Sequence, residues 1–400
     1  MKSLMKEAEK LQDTLVKHRR YLHENAEVHM DLPITVEYVT AQLKAMGYEP
    51  EEICQSGVLA MAGKKNEGKT FLLRADMDAL PMKEESDVPF RSKTGNMHAC
   101  GHDLHTAMLL GAAELLKKHE DEIKGQVKLM FQPAEETLSG AKQMVEAGIL
   151  ENPKVDSAMM IHVLSGFPIK TGMVLVGGEG VISAAADWFK ITVQGKGCHG
   201  GMPQMGVDPL NSLTHIYLGL QNINAREVAP GEVAVVTIGE IHGGNTGNII
   251  PDTAYMQGTI RTYSDEHRVF VKDRVESIAK NIAESFRTIA NVDFFRGCPC
   301  NINDKNLLDQ MKDITKEFVG EDHFIDAGVL FGNAKFPGSE DFAYVAEKVP
   351  GVTISISSGS SEDGFEHPLH HPKALFDDSI LYVGAGIYAN TAIEWLKNNS

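Results

Sequence analysis

The chain has 400 residues, room for about two or three domains at roughly 150 residues each. A formal net charge of −17 disfavours nucleic acid or an anionic membrane as partner, and 42% hydrophobic with 23% charged residues is an ordinary globular composition. No run approaches about eighteen apolar residues, so no membrane span is expected, and MKSLMKEAEKLQ lacks the apolar core of a secretion signal. The five cysteines, at 54, 100, 198, 298 and 300, are sparse, odd in number and irregularly spaced, which fits a reducing cytoplasm better than a disulfide framework.

In chain order, an amphipathic helix is predicted to about His23, then a second from Pro33 at its first turn to Gly47 at its stop. TFLLRAD (70–76) reads as a buried strand, Asp103 to His119 as a helix and GQVKLMFQ (125–132) as a strand. GAKQMVEAG (140–148) follows as a helix and DSAMMIHV (156–163) as another strand. That alternation predicts an α/β layer architecture with a mainly parallel sheet. After about residue 186 the style changes. WFKITVQG alternates polar and apolar residues, and a helix runs from Pro209 to about Asn224. EVAVVTIGEIHGG and TAYMQGTIRTY are strands, about 265–289 a long helix, and VDFFRG a last strand. Two strand-helix-strand units on one sheet make a compact α+β domain. The first style then returns, with a helix near 304–318, the strand GVTISISS and a final helix from about 376. The expected organisation is a catalytic domain in two parts, 1–186 and 299–400, interrupted by an inserted domain at 187–298.

In open α/β sheets ligands lie beyond the carboxyl ends of the strands, and the residues placed there are of one kind. Asp76 and Asp78 follow the first strand, Pro133, Ala134, Glu135 and Glu136 follow GQVKLMFQ, and His162 ends DSAMMI. The segment GNMHACGHDLHTA (95–107) brings Cys100 and His102 just ahead of a helix. Adjacent glutamates alone are ordinarily a solvated turn, and a lone cysteine a small buried hydrophobe; four connections with ligand-type residues on one edge point to a metal site. Cys100 and His102 converge only on a non-helical backbone, which Gly101 permits. They suit zinc, nickel, cobalt or manganese more than calcium or magnesium. Of two glutamates, one can bind metal while its neighbour takes a proton from water. HPLHHP offers further imidazoles at His367, His370 and His371, in a loop stiffened by Pro368 and Pro372. A nucleophilic Cys100 needs an activating histidine and a third orienting group, and it leaves the glutamate pair, His162 and the 367–371 histidines unexplained.

Beyond these residues, the chain resembles the metal-dependent amidohydrolases that include hippurate hydrolase, bacterial N-acyl-amino-acid amidohydrolases and plant indole-acetyl-amino-acid hydrolases, within the aminoacylase and carboxypeptidase-G-like enzymes. The likeness extends from RRYLHENAE (19–27) to the last helix. It is carried by LLRADMDALP, MHACGHDLHTA, QPAEE, IHV, GKGCHGGMP, NIIPD, GSEDFAY and LHHP, in that order. The resemblance implies a three-layer α/β/α catalytic domain with an inserted, smaller α+β ferredoxin-like domain serving as lid and dimerisation surface, in a homodimer or homotetramer. It implies two divalent metal ions per subunit, zinc or manganese with cobalt or nickel also suitable, held by Cys100, His102, Glu136, His162 and His370, with Cys100 bridging. Glu135 would be the general base and Asp78 would support the site. His199 would reach an active site, often a neighbouring subunit's, and steady an oxyanion, while Asn248 and Arg261 would recognise the substrate. The implied reaction is hydrolysis of an N-acyl amino acid to a carboxylate and a free amino acid. A dipeptidase or aminopeptidase on the same metals is the near alternative, and a non-catalytic metal- or ligand-binding protein the distant one. Cys198 and Thr137 stand where many relatives carry Gly, and Ser183 where they often carry Met; these departures touch acyl preference and leave the ligand set whole.

Overall fold

The computed structural model of the chain describes residues 2–63, 68–332 and 335–400. It divides into two compact units. One comprises Met1–Ile182, Ile302–Ala334 and Asp341–Ser400, the other Ser183–Asn301 with Lys335–Glu340. The return of that short late segment to the second unit is not visible in the hydrophobic pattern.

The first unit is built on an eight-stranded sheet. From edge to edge its order is Glu51–Cys54, Gly57–Gly63, Gly125–Gln132, Lys69–Asp76, Ser157–Leu164, Gly351–Ser357, Val174–Val176 and Phe324–Asp326. The four central strands, from Gly125–Gln132 to Gly351–Ser357, run parallel, so their carboxyl ends share one edge. Antiparallel pairings begin outside that block. Central strands buried on both faces read as apolar runs, which is why they were legible in sequence. Successive residues serve opposite layers: Phe71 and Leu73 join the core beneath helices Gln12–Glu24, His102–Lys118 and Leu381–Asn398, whereas Leu72 packs with Met144 and Phe342 on the other face. The result is the α/β/α sandwich expected.

Three predicted elements shift. The opening helix breaks at Leu11 into Lys2–Lys10 and Gln12–Glu24. The helix predicted to 289 stops at Ser285, because Arg287 turns into the left-handed region at φ 63° and Ile289 begins a strand. The last helix starts at Leu381 and not near 376, since Phe376 gives its carbonyl to Arg19 and a 3-10 turn occupies Asp378–Ile380.

The second unit holds a four-stranded antiparallel sheet in the order Ala234–Gly243, Thr253–Thr262, Ala185–Gln194, Ile289–Cys298. Helices Pro209–Asn222 and Asp265–Ser285 cover one face around Phe189, Met256, Ile216 and Val275. With the chain order strand, helix, strand, strand, helix, strand, this is the ferredoxin-like arrangement. All five cysteines are free thiols, and among the described residues no helix is long and apolar enough to cross a membrane.

Candidate metal centre

The carboxyl edge of the parallel block carries the ligand-type residues. In sequence Asp76–Asp78 and Cys100–His102 stand apart as two connections; in the fold both lie in the single connection between strand Lys69–Asp76 and helix His102–Lys118. Gly101 caps that helix at φ 84°, where an added Cβ would stand 2.4 Å from Val163 Cγ2, so glycine is required between the two ligands. The connection after Gly125–Gln132 carries Glu135 and Glu136, with Ala134 left-handed at φ 53°. His162 lies in strand Ser157–Leu164. The fourth contribution follows Gly351–Ser357, where His370, itself at φ 65°, donates its amide to Ala99 O at 2.9 Å and so ties its loop to the one bearing Cys100. Non-glycine residues held at positive φ are typical of sites that over-determine their geometry.

The side chains then converge. His102 Nδ1–H donates to Asp78 O at 2.8 Å and His162 Nδ1–H to Val163 O at 2.7 Å, so both rings present Nε2 inward. Cys100 Sγ lies 3.6 Å from His162 Nε2, and His370 Nε2 lies 3.3 Å from Glu136 Oε1. His102 Nε2 is buried without a hydrogen bond, 3.9 Å from Glu135 Oε2 and 4.0 Å from Glu136 Oε1. Among the described residues five trios of ligand-type side chains have their ligand atoms within 4.8 Å of one another, and two of these, Cys100–His102–His162 and Cys100–Glu136–His370, overlap at the thiol. An ion binding at about 2.0–2.3 Å keeps neighbouring ligand atoms roughly 3–4 Å apart, so thiolate, imidazole and carboxylate stand at cation-holding spacings and Cys100 is common to both groups. An inward-facing, orphaned imidazole nitrogen is the feature that fits a metal best.

The electrostatics agree. Burial and Glu136 push the Cys100 thiol up, but His162 and His102 outweigh them and hold it at about 5, a thiolate at neutral pH. His370, beside Cys100 and Glu136, is raised to about 10. Burial lowers His102, yet Asp76 and Cys100 together hold it well above the usual imidazole value. Protons here occupy positions that suit a cation.

Two aspartates hold this edge in shape. Asp78, fully buried, accepts the amides of Glu135 at 2.9 Å and Glu136 at 3.2 Å, fixing the glutamate turn. Asp76 Oδ2 lies 3.7 Å from His102 Nε2, and the carboxylate is held by two donors. It accepts Arg74 Nη1 at 2.7 Å and His105 Nδ1 at 2.6 Å. His105 Nε2 accepts the amide of Val163 at 2.9 Å, which sets the tautomer, and its ring meets His162 edge-on with centroids 4.7 Å apart. Arg74 also donates to Gln132 Oε1 at 2.8 Å and Asp341 Oδ1 at 3.1 Å, while Asp341 Oδ2 accepts Ala141 N at 2.9 Å. Sequence reasoning missed Arg74, His105 and Asp341. The available signal was a lone Arg inside the apolar strand TFLLRAD and a His one helical turn after His102.

Within the second unit, a short ladder pairs His199 with Ile249 and brings Asn248 close, with Gly200 N donating to Asn248 O at 2.8 Å. His199 Nδ1 accepts Gly201 N at 3.0 Å, leaving the proton on an exposed Nε2. Arg261 does not join them. It stands on the four-stranded sheet, its guanidinium over Trp188 at 4.6 Å and its Nη1 donating to Ile260 O.

Residues 72–394 match the profile described as Peptidase family M20/M25/M40. The chain belongs to that family. It is 37% identical over 405 residues to thermostable carboxypeptidase 2 of Saccharolobus solfataricus, covering 99% of this chain and 98% of that one. It is 36% identical over 392 residues to N-acetyl-L-cysteine deacetylase of Bacillus subtilis, covering 97% and 90%. Among solved structures, a Bacillus subtilis protein described as a dinuclear metal binding peptidase from the M20 family superposes with a TM-score of 0.78 at 31% identity, covering 97% of this chain and 99% of that one.

Proposed function

We propose that the chain is a metal-dependent amidohydrolase that cleaves N-acyl amino acids into a carboxylate and a free amino acid. The family membership and the deacetylase relative support the reaction class. The observation that carries it is Glu135: a buried carboxylate 3.9 Å from His102 Nε2, beside the Cys100–His102–His162 and Cys100–Glu136–His370 groups in which it takes no part. A protein that only bound metal would have no use for that group.

Cys100, His102 and His162 would hold one divalent cation and Cys100, Glu136 and His370 a second. Such cations polarise a carbonyl and bring the pKa of water to about 7. Glu135 accepts the proton of the attacking water and returns it to the departing amine nitrogen, so the C–N bond breaks as a C–O bond forms and charge balances. Asp78 keeps Glu135 and Glu136 in their separate roles by holding both amides. His199, with its Nε2 proton available, is suited to donate to an oxyanion, and Arg261 to accept the substrate carboxylate bidentately. Asn248 is assigned to the substrate on the family resemblance.

Protein stripped with a chelator and reloaded with manganese, zinc, cobalt or nickel should hydrolyse N-acetyl and N-benzoyl amino acids and remain inactive without metal. Faster turnover of free dipeptides than of every N-acyl amino acid would replace this reading with the peptidase one.

A further inference from the structure

The chain has ten arginines. Six of them, Arg19, Arg74 and Arg268 included, hold carboxylates. Arg226 and Arg287 are exposed to water. The last two, Arg261 and Arg296, are partly buried, form no ion pair with a carboxylate among the described residues, and share one aromatic ring: their guanidinium carbons lie 4.6 and 5.6 Å from the centroid of Trp188. In a chain with 55 acidic and 38 basic side chains, two partly buried cations beside one ring with no carboxylate at ion-pair distance among the described residues are the exception.

The backbone arranges this pairing. Trp188 lies opposite Thr259 on one side, and Arg261, two residues on, projects from the same face. On the other side Phe294 pairs with Phe189, so regular register would set Phe295 against Trp188. A β-bulge inserts Phe295 as the extra residue, and Arg296 takes the position opposite the indole. Bulges re-aim side chains in this way and cost a ladder bond. Glu240, toward the other end of that face, is held by Tyr255 at 3.0 Å, Gln257 at 2.8 Å and His242 at 3.0 Å. Burial lowers the pKa of Arg261 from its ordinary value, outweighing the opposing pull of Cys298 and Asp187.

We propose that Arg261, Trp188 and Arg296 form a dicarboxylate subsite, which makes N-acyl derivatives of aspartate or glutamate the favoured substrates. Resting on the assignment of Arg261 to the substrate's α-carboxylate, this gives Arg296 the side-chain carboxylate. The indole lies within cation–π distance of both guanidinium groups, whose N–H donors can form bidentate bonds to carboxylates. The two guanidinium carbons are at most about 10 Å apart, within reach of both carboxylates of one such amino acid.

The test compares N-acetyl-L-glutamate with its near-isostere N-acetyl-L-glutamine on metal-loaded enzyme. Wild type should favour the glutamate substrate at least tenfold in kcat/KM, R296Q should bring that preference to within twofold, and R296K, which keeps the charge and controls for folding, should retain part of it. Equal use of both substrates by wild type, or equal losses on both in R296Q, would overturn the subsite. If no N-acyl amino acid were hydrolysed, the amidohydrolase reading would fall separately, and fluorescence would then decide. Trp188 is partly exposed while the other tryptophan, Trp395, is buried, so binding of L-glutamate at least tenfold tighter than L-glutamine, lost in R296Q, supports the subsite, and equal binding refutes it.

Discussion

Two arginine clusters, one in each unit, treat charge in opposite ways. In the first, Arg74 is fully buried and donates to Gln132, Asp76 and Asp341, and Asp76 in turn holds His105. In the second, Arg261 and Arg296 stand beside an indole with no carboxylate at ion-pair distance among the described residues. Closed networks of buried charge fix geometry, and breaking one partner is strongly unfavourable. Cations left unpaired at a half-dry surface are available to a ligand. On the proposed assignments the Arg74 network is organised for chemistry before anything binds, and Arg261 and Arg296 are kept for recognition. On this view substitutions in the first unit should lower rate or metal affinity, and those in the second should alter which substrate is chosen.

The sharpest break is expected at Glu135. Glu135→Gln keeps the shape and the ligands but removes the proton acceptor, so kcat should fall by about a thousandfold or more with metal content unchanged. Metal lost from this variant but retained by Glu136→Gln would mean the two glutamates have exchanged roles.

A smaller effect is expected one contact away. His105→Phe keeps the ring volume and deletes both the Asp76 bond and the acceptor for the Val163 amide, which orient His162. Affinity at the Cys100–His102–His162 group should drop about ten- to a hundredfold, seen in calorimetric titration as one weakened ion beside one unaffected. Two unchanged ions would show that Asp76 and His105 merely fill space.

The smallest concerns the clasp at the start of the chain. His23 is buried between Asp103, at 2.9 Å, and Glu84, at 3.2 Å; burial opposes its charge, but the two carboxylates raise it to about 9. A histidine whose folded pKa lies above its unfolded value stabilises fully below about 6.5, and that contribution fades as pH rises through 9. Stability should fall by about 1–2 kcal/mol between pH 7 and 8.5 beyond any change in His23→Gln. Parallel urea curves for the two proteins over that range would remove His23 from the clasp.

How much of this was legible in sequence follows from the distance over which each signal acts. Strand Gly125–Gln132 was read at its observed bounds because Val127 and Leu129–Phe131 give a compact, largely apolar stretch between turn signals. Glu51–Cys54, Val174–Val176 and Phe324–Asp326 were missed, being three- or four-residue strands whose register is supplied by neighbours remote in sequence. Candidate ligand types could be read because Glu136 follows one strand, His162 lies near the end of another, and Cys100 and His102 stand immediately before or at a helix start. Arg74 and His105 could not, because their meaning lies in partners such as Asp341 and Val163, brought near only by the sheet. Arg296 was invisible for a subtler reason: a one-residue bulge decides which face it joins, and simple alternation sends Phe295 there instead.

The most direct measurement of the central claim is the accessibility of Cys100. If Cys100 bridges two cations and water attacks the amide, a coordinated thiolate is shielded. Metal-loaded enzyme should then resist iodoacetamide at Cys100, chelator-stripped enzyme should be carboxamidomethylated there quickly, given a thiol held at about 5, and metal restored before the reagent should protect it again. Mass spectrometry of the Cys100 peptide reads all three states. Equal labelling with and without metal, or an acyl group found on Cys100 during turnover, would contradict the metal-centre account.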